Sequence, residues 1–159
     1  MPNFSSKRRV HHSAPQMFDL VADVERYPEF VPLCRELKVR RRVVQGEGVE
    51  MLTADMTVAY KMIHETFTSK VTLDKPRLRI LVEYLNGPFR QLENRWIFRP
   101  LTPQACEIDF YIAYRFRSRL LERLMGGLFD RAVRKYTDAF EARADAIYGT
   151  RSPSLASQQ

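Results

Sequence analysis

The residues of this sequence that most often hold metals or act as catalysts are three histidines and two cysteines. His11 and His12 are adjacent, so in a strand their side chains point to opposite faces, and His64 stands among threonines and lysines. Cys34 and Cys106 are far apart in the chain. No spacing of His, Cys, Asp and Glu resembles a metal site, and no Ser/His/Asp or Cys/His set stands out. We therefore predict no metal site, no catalytic residue and no required cofactor, and we expect a protein that is not an enzyme.

The side chains with the patterning of a binding site are apolar. A loop at residues 30–33 has consecutive apolar side chains between or beside prolines, which stiffen a pocket mouth, although plain packing under a sheet gives the same pattern. Two later segments, at residues 96–98 and 110–116, carry aromatic residues at strand spacing. A further segment, at residues 120–129, carries leucines around Gly126 and Gly127. The predicted ligand-contacting residues are Phe30, Val31, Leu33, Trp96, Phe98, Phe110, Ile112, Phe116, Leu121, Leu124, Met125, Leu128 and Phe129.

The elements that would position these side chains follow from periodicity. A strand is expected over residues 4–12, followed by a helix with Ser13 as N-cap and Pro15 in its first turn. Tyr27-Pro28 is expected to end that helix, with a short irregular or helical piece over residues 29–33. From Cys34 to Phe116 apolar residues alternate with polar ones, which predicts about six antiparallel strands separated by turns such as Asn86-Gly87-Pro88.

The period then changes to that of a helix. Apolar residues recur at three- and four-residue steps over residues 118–149, which predicts one helix of about thirty residues, or roughly 45 Å. Gly126 and Gly127 interrupt it, and either a kink, close packing or room for a ligand chain would explain them. This helix is the only predicted element long enough to cover the apolar face of the sheet. We expect a domain over residues 1–149 and a flexible tail over residues 150–159.

Three stretches of the sequence resemble the coenzyme Q-binding START-domain family, a polyketide cyclase/dehydratase-like group. They are VERYPEFVPLC at residues 24–34, GPFR at 87–90 leading to Trp96, and residues 110–121. The resemblance implies an α+β START-like helix-grip fold: a curved antiparallel sheet of about seven strands, a long C-terminal helix across it, and one or two short helices after the first strand. It also implies an apolar tunnel for ubiquinone. The same family includes a bacterial toxin that blocks ribosomal subunit association.

The formal net charge of +7 favours an anionic partner or simply a basic surface. One basic run lies at residues 35–42 and another at 115–135, where it flanks the leucine-rich half of the last helix, as in proteins that meet a membrane interface. Anionic membrane lipid and ribosomal RNA both stay open as partners. The first run has no interleaved aromatic residues, so we expect no sequence-specific nucleic acid binding.

The residues and the resemblance together predict a carrier that holds ubiquinone or a similar isoprenoid lipid and serves respiration. The alternatives are a ribosome-directed interaction protein and a polyketide cyclase/dehydratase-like enzyme. Residues 1–10 carry no apolar segment typical of a secretory signal, and no apolar run is long enough to span a bilayer. We therefore expect a bacterial cytoplasmic protein with two free thiols, and peripheral contact with the inner face of the inner membrane stays open.

Overall fold

The computed structural model describes residues 2–149, so the predicted flexible tail at residues 150–159 lies outside the described residues. Its strands are β1 (Asn3–Val10), β2 (Cys34–Gly46), β3 (Val49–Tyr60), β4 (Ile63–Asp74), β5 (Arg79–Asn86), β6 (Phe89–Thr102) and β7 (Ala105–Phe116). Its α-helices are α1 (Ala14–Ala22), α2 (Arg119–Arg134) and α3 (Tyr136–Tyr148), and a 3-10 helix spans Val24–Glu29.

The strands form one antiparallel sheet in the order β1-β7-β6-β5-β4-β3-β2. The alternation of apolar and polar residues gives each strand one buried face, and register shifts in β2, β4–β5 and β6–β7 bend the strands. The predicted curved antiparallel START-like sheet of seven strands is confirmed. Its apolar face and the helices enclose the core, which includes Phe98, Phe110 and Phe140.

The first helix begins as expected. The Ser13 hydroxyl accepts a hydrogen bond from the Gln16 backbone N–H at 3.1 Å, and the Gln16 side chain accepts one from the Ser13 N–H at 3.0 Å. The helix ends at Ala22, however, and not at Tyr27-Pro28. After Asp23 the chain continues as the 3-10 helix, which accommodates Pro28 in its last turn. The first strand also ends earlier than predicted, at Val10.

The predicted single long helix is wrong, because it is divided into α2 and α3 at Lys135. The Lys135 backbone N–H bonds to the Ala132 carbonyl at 3.0 Å, which is a tighter turn than the α-helix. Gly126 and Gly127 produce no break. A Cβ at Gly126 would meet only the flexible end of the Glu122 side chain, so neither a kink nor close packing on the sheet explains the glycine there.

The β5–β6 turn requires its glycine. Gly87 has φ +142°, and a Cβ at that position would lie 2.8 Å from the Phe67 Cα, which is backbone and cannot give way. The glycine therefore lets the turn lie directly against β4, and Phe89 then packs edge-on against Phe67.

Candidate ligand-binding cavity

A mostly apolar cavity of about 80 Å³ lies between the concave face of the sheet and the helices. Its walls come from β2 to β7, from the 3-10 helix and the loop after it, and from α2 and α3. The lining residues are Val24, Tyr27, Val31, Leu37, Ala54, Met56, Phe67, Ser69, Val71, Ile80, Val82, Leu92, Asn94, Trp96, Ile112, Phe129, Tyr136 and Phe140.

Strand periodicity positions most of the walls. Alternate residues of a strand point to the same face, so Phe67, Ser69 and Val71 of β4 all face the cavity. In the same way Leu92, Asn94 and Trp96 of β6 line it. The opposite wall is aromatic, because Phe140 of α3 packs edge-on against Trp96 with ring centroids 5.0 Å apart.

The few polar groups of the lining differ in whether they have partners. The Trp96 indole N–H donates to the Asn94 side-chain oxygen at 3.0 Å, and the Asn94 amide donates to the Tyr111 carbonyl at 2.9 Å. The Tyr27 hydroxyl donates to the Val21 carbonyl at 2.6 Å. The Ser69 hydroxyl is buried, with the residue 5% exposed, and has no hydrogen-bond partner within residues 2–149.

Tyr136 is the second polar group available to a ligand. Its ring contacts Phe110, and its hydroxyl has no hydrogen bond to another described residue. Burial raises the pKa of the Tyr27 and Tyr136 phenols well above the ordinary value, because the charged phenolate would lose its solvation. Both phenols are therefore neutral at pH 7. In the described chain the lining holds no carboxylate, imidazole or amine, so the cavity can donate hydrogen bonds but holds no poised acid–base pair.

Four of the predicted ligand-contacting residues line this cavity: Val31, Trp96, Ile112 and Phe129. Leu33, Met125 and Leu128 lie instead around a small gap of about 10 Å³, which Phe129 borders as well. Leu33 has φ 68°, an uncommon left-handed conformation for leucine, and its carbonyl accepts a hydrogen bond from the Ala59 N–H at 3.0 Å.

The other predicted contacts do not reach the cavity. Phe98, Phe110 and Phe116 are packed in the core. Phe30 packs edge-on against Tyr27 and Phe140, behind the wall. Leu121 is partly buried against the core, and Leu124 is exposed.

Several lining residues were not predicted, although the sequence carries a signal for some of them. Ser69 is a polar residue between the apolar Phe67 and Val71 on one face of β4, and Asn94 lies between Leu92 and Trp96 on β6 in the same way. Tyr136 and Phe140 continue the apolar stripe of the last helical segment. The stripe alone does not show which of its members face a cavity, because packed and cavity-lining side chains have the same spacing.

Cys34 and Cys106 are free and buried, as expected. Burial raises the pKa of the Cys34 thiol to about 12 and that of Cys106 to about 11. Within residues 2–149 no group of three or more His, Cys, Asp or Glu side chains could hold a metal ion. None of the helices described has the length and hydrophobicity needed to cross a bilayer.

A seven-stranded antiparallel sheet that curves around two C-terminal helices, with an apolar cavity between them, defines a START-like protein. Residues 10–141 match the family model described as polyketide cyclase/dehydrase and lipid transport. The chain belongs to this family.

Two groups of relatives have the same residue as this chain at about a third of the aligned positions. The ribosome association toxin RatA of Escherichia coli is 34% identical over 95% of this chain and 92% of its own length. The mitochondrial coenzyme Q-binding protein COQ10 homolog B of Xenopus laevis is 32% identical over 96% of this chain, which spans 62% of that protein. Both likenesses agree with the predicted resemblance.

Solved structures agree on the fold. The solution structure of an 18 kDa protein from Caulobacter crescentus has a TM-score of 0.75 and 33% identity, and the match covers 94% of this chain and all of that one. An aromatase/cyclase from a Streptomyces species has a TM-score of 0.74 over 94% of this chain and 99% of its own. At 16% identity the second likeness concerns the fold alone.

Proposed function

We propose that this chain binds a quinone-like lipid, with ubiquinone as the first candidate, and carries it for respiratory electron transport. The observation that carries the proposal is the buried Ser69 hydroxyl, which has no hydrogen-bond partner within residues 2–149 and belongs to a residue that lines the apolar cavity. Apolar walls suit a ring and an isoprenoid chain, and the Ser69 and Tyr136 hydroxyls could donate to quinone carbonyl oxygens. The likeness to the coenzyme Q-binding proteins supports the choice of quinone.

The size of the cavity sets a condition on this function. Pockets for drug-sized ligands enclose about 300–1,000 Å³, and this cavity has about 80 Å³. Binding of a ring with a tail therefore requires that the walls separate. The gain is the burial of apolar area, at about 25 cal/mol per Å².

The helix α2 is the wall best suited to move. The loop at residues 30–33, predicted above as a pocket mouth, is held in place by two backbone hydrogen bonds. The Val31 N–H donates to the Tyr27 carbonyl at 2.8 Å, and the Ala59 N–H donates to the Leu33 carbonyl at 3.0 Å. By contrast, α2 makes no ion pair with another element of the described chain, and it ends at the break at Lys135.

The test uses the single tryptophan, Trp96, which lines the cavity. Purified protein is extracted with organic solvent and the extract analysed for quinone by mass spectrometry. Short-tailed ubiquinone is then titrated into stripped protein. We expect a quinone in the extract and saturable quenching of Trp96 fluorescence.

Ala54→Leu is the matched variant, because Ala54 lines the cavity and an isobutyl group in place of its methyl fills space that the ligand needs. It should lose saturable quenching while its thermal unfolding stays cooperative. An extract without quinone, together with no saturable quenching in the wild type, would disprove the proposal.

A second candidate function is ribosome binding, favoured by the match to ribosome association toxins across 95% of the chain. The basic run on β2 is largely neutralised: Lys38 lies 3.5 Å from Glu36, Arg40 lies 3.5 Å from Asp55, and Arg42 lies 3.4 Å from Glu50. Arg35 and Arg41 have no ion-pair partner within residues 2–149 and would be the contacts with RNA phosphates.

Sucrose-gradient profiles of ribosomes with added protein test this second function. Binding should shift 70S particles toward free subunits and should weaken in Arg35→Glu/Arg41→Glu. Unchanged profiles at saturating protein would exclude it.

A cyclase or dehydratase activity is the third possibility, and the aromatase/cyclase likeness keeps it open at the level of fold. The lining argues for binding over catalysis, because its two phenols are held neutral and no carboxylate or imidazole stands beside them in the described residues. We therefore propose a non-enzymatic carrier.

A further inference from the structure

The tip of the β3–β4 hairpin and the outer side of α2 form a surface that is unusually apolar for a solvent-exposed region. Met62 at the tip is 96% exposed, and Tyr60 beside it is 45% exposed. Leu120 and Leu124, one helical turn apart on α2, are 62% and 56% exposed. A groove joins the tip to the helix between Met62 and Leu124.

The same groove is basic. Lys61, Arg123 and Arg131 line it together with Met62 and Leu124. None of these three cations has a carboxylate partner within residues 2–149, and Lys61 only lies over the ring of Tyr60 at 5.3 Å. This differs from β2, where most of the cations are paired.

A small gap lies between the groove and the ligand cavity, with side chains separating it from each. Tyr60, Ile63 and Leu128 border both the groove and the small gap behind it. Phe129 borders both that gap and the cavity. An apolar path from the surface to the cavity therefore opens where the basic groove lies, once α2 moves outward.

We propose that Tyr60, Lys61, Met62, Arg123, Leu124 and Arg131 form a docking face for an anionic lipid bilayer. Apolar side chains that project beyond a ring of unpaired cations can enter the acyl region while the cations stay at the headgroups. Each cation near an anionic surface adds attraction that salt screens. Docking places the mouth of the apolar path against the membrane, so a lipid could pass without crossing water.

The chemistry of this face favours lipid over RNA. Unpaired cations serve either partner, but Met62 and Leu124 gain nothing from a phosphate backbone, whereas a bilayer buries them. Tyr60 suits the headgroup boundary because its ring is apolar and its hydroxyl polar.

Vesicle flotation tests the docking face. Ligand-free protein is floated with phosphatidylcholine vesicles, with and without phosphatidylglycerol. We expect binding that requires phosphatidylglycerol and weakens as NaCl is raised. Lys61→Glu/Arg123→Glu should weaken it by about tenfold or more, and Met62→Ser/Leu124→Ser by about tenfold.

The controls make equal changes on exposed residues elsewhere. Lys7→Glu/Arg90→Glu makes the same charge change on β1 and β6, and Val44→Ser/Leu101→Ser removes two other exposed apolar side chains. Both should bind vesicles within about twofold of wild type. Equal loss in the control variants, or no binding by the wild type, would disprove the docking face.

The docking face goes beyond the proposed function and can fail independently of it. Quenching of Trp96 by short-tailed ubiquinone, measured without vesicles, should be unchanged in the Met62→Ser/Leu124→Ser variant. Intact quenching without vesicle binding rejects the docking face alone, and vesicle binding without quenching rejects the quinone proposal alone.

A last experiment tests binding to ribosomal subunits in place of vesicles. Loss of subunit binding in Lys61→Glu/Arg123→Glu, with no vesicle binding by the wild type, would assign this face to RNA instead.

Discussion

Ser69 is the residue at which the candidate site departs most from an ordinary core. A buried hydroxyl without a partner costs free energy, because the hydrogen bonds it made with water are not replaced. In β4 it stands between Phe67 and Val71 and faces the same cavity. Retaining such a group is understandable if a bound ligand completes its hydrogen bond.

Ser69→Ala should therefore act in opposite directions on stability and on binding. The free energy of unfolding, measured with urea, should stay equal or rise by up to about 1 kcal/mol, because the unsatisfied hydroxyl is gone. The affinity for short-tailed ubiquinone should fall by about 0.5–1.5 kcal/mol, measured by Trp96 quenching.

Ser6→Ala is the matched control for Ser69→Ala. The Ser6 hydroxyl is also buried without a partner, but it does not line the cavity. It should change stability in the same direction and leave the ubiquinone affinity as it is. Equal affinity in both variants would show that Ser69 does not contact the ligand.

At the scale of elements, the two C-terminal helices are held in different ways. Polar contacts tie α3 to the rest of the fold: Arg8 pairs with Asp138 and Glu141, Arg143 pairs with Glu29, and His12 bonds to Asp145. The ion pair of α2 within residues 2–149, Arg134 with Asp130, is internal to the helix. We infer that α3 is the fixed helix of the cavity wall and that α2 is the movable one.

Asp145→Ala tests how α3 is anchored. The buried His12 Nε2 donates to the Asp145 carboxylate at 2.7 Å, and removal of that acceptor leaves the imidazole N–H unsatisfied. The free energy of unfolding should fall by about 1–2 kcal/mol in urea titrations. Asp130→Ala removes an exposed pair within α2 and should cost about 0.5 kcal/mol or less. Similar losses in the two variants would contradict this account of α3.

Hydrogen exchange separates the two helices without mutation. Local opening exposes backbone amides. Phe129 of α2 packs on Phe89 and Tyr114, but α2 lacks the ion pairs to other elements that α3 makes within residues 2–149. Amides of α2 should therefore exchange faster than those of α3, and bound ubiquinone should slow the exchange of α2 most. Equal protection of both helices in the ligand-free protein would contradict a movable α2.

At the scale of the whole molecule, the small cavity makes binding depend on opening. A ligand that must wait for α2 to move associates more slowly than diffusion allows, and its observed rate levels off as ligand concentration rises. Stopped-flow measurements of Trp96 fluorescence with short-tailed ubiquinone should show this saturation.

Leu128→Ala should raise the plateau rate by about three- to tenfold, because Leu128 borders both the surface groove and the gap behind it. Val44→Ser, on an exposed part of β2, should leave the rate unchanged. A rate that rises linearly with concentration in the wild type would mean that the cavity is open without movement.

Prediction from sequence was most successful where one periodicity persists over a whole element. The alternation along β7 predicted a half-buried strand, and the Ser13 cap predicted the start of α1. It failed at Lys135, because the apolar stripe continues through the break and gives no sign of it. Prediction from sequence also included Phe98 and Phe110 among the ligand-contacting residues, whereas the structure places both in the packed core.

The sequence by itself determined the antiparallel strands, their helical cover and an apolar interior, because burial imposes a period of two on strands and of 3.6 on helices. The curvature of the sheet came from the family resemblance. Only the tertiary structure decided which apolar residues meet a cavity and which meet each other. Val31, Trp96, Ile112 and Phe129 reach that space, while Phe116 does not. The physical reason is that a cavity is the space left between several elements after they have packed. The spacing of residues within one element does not show where that space will be.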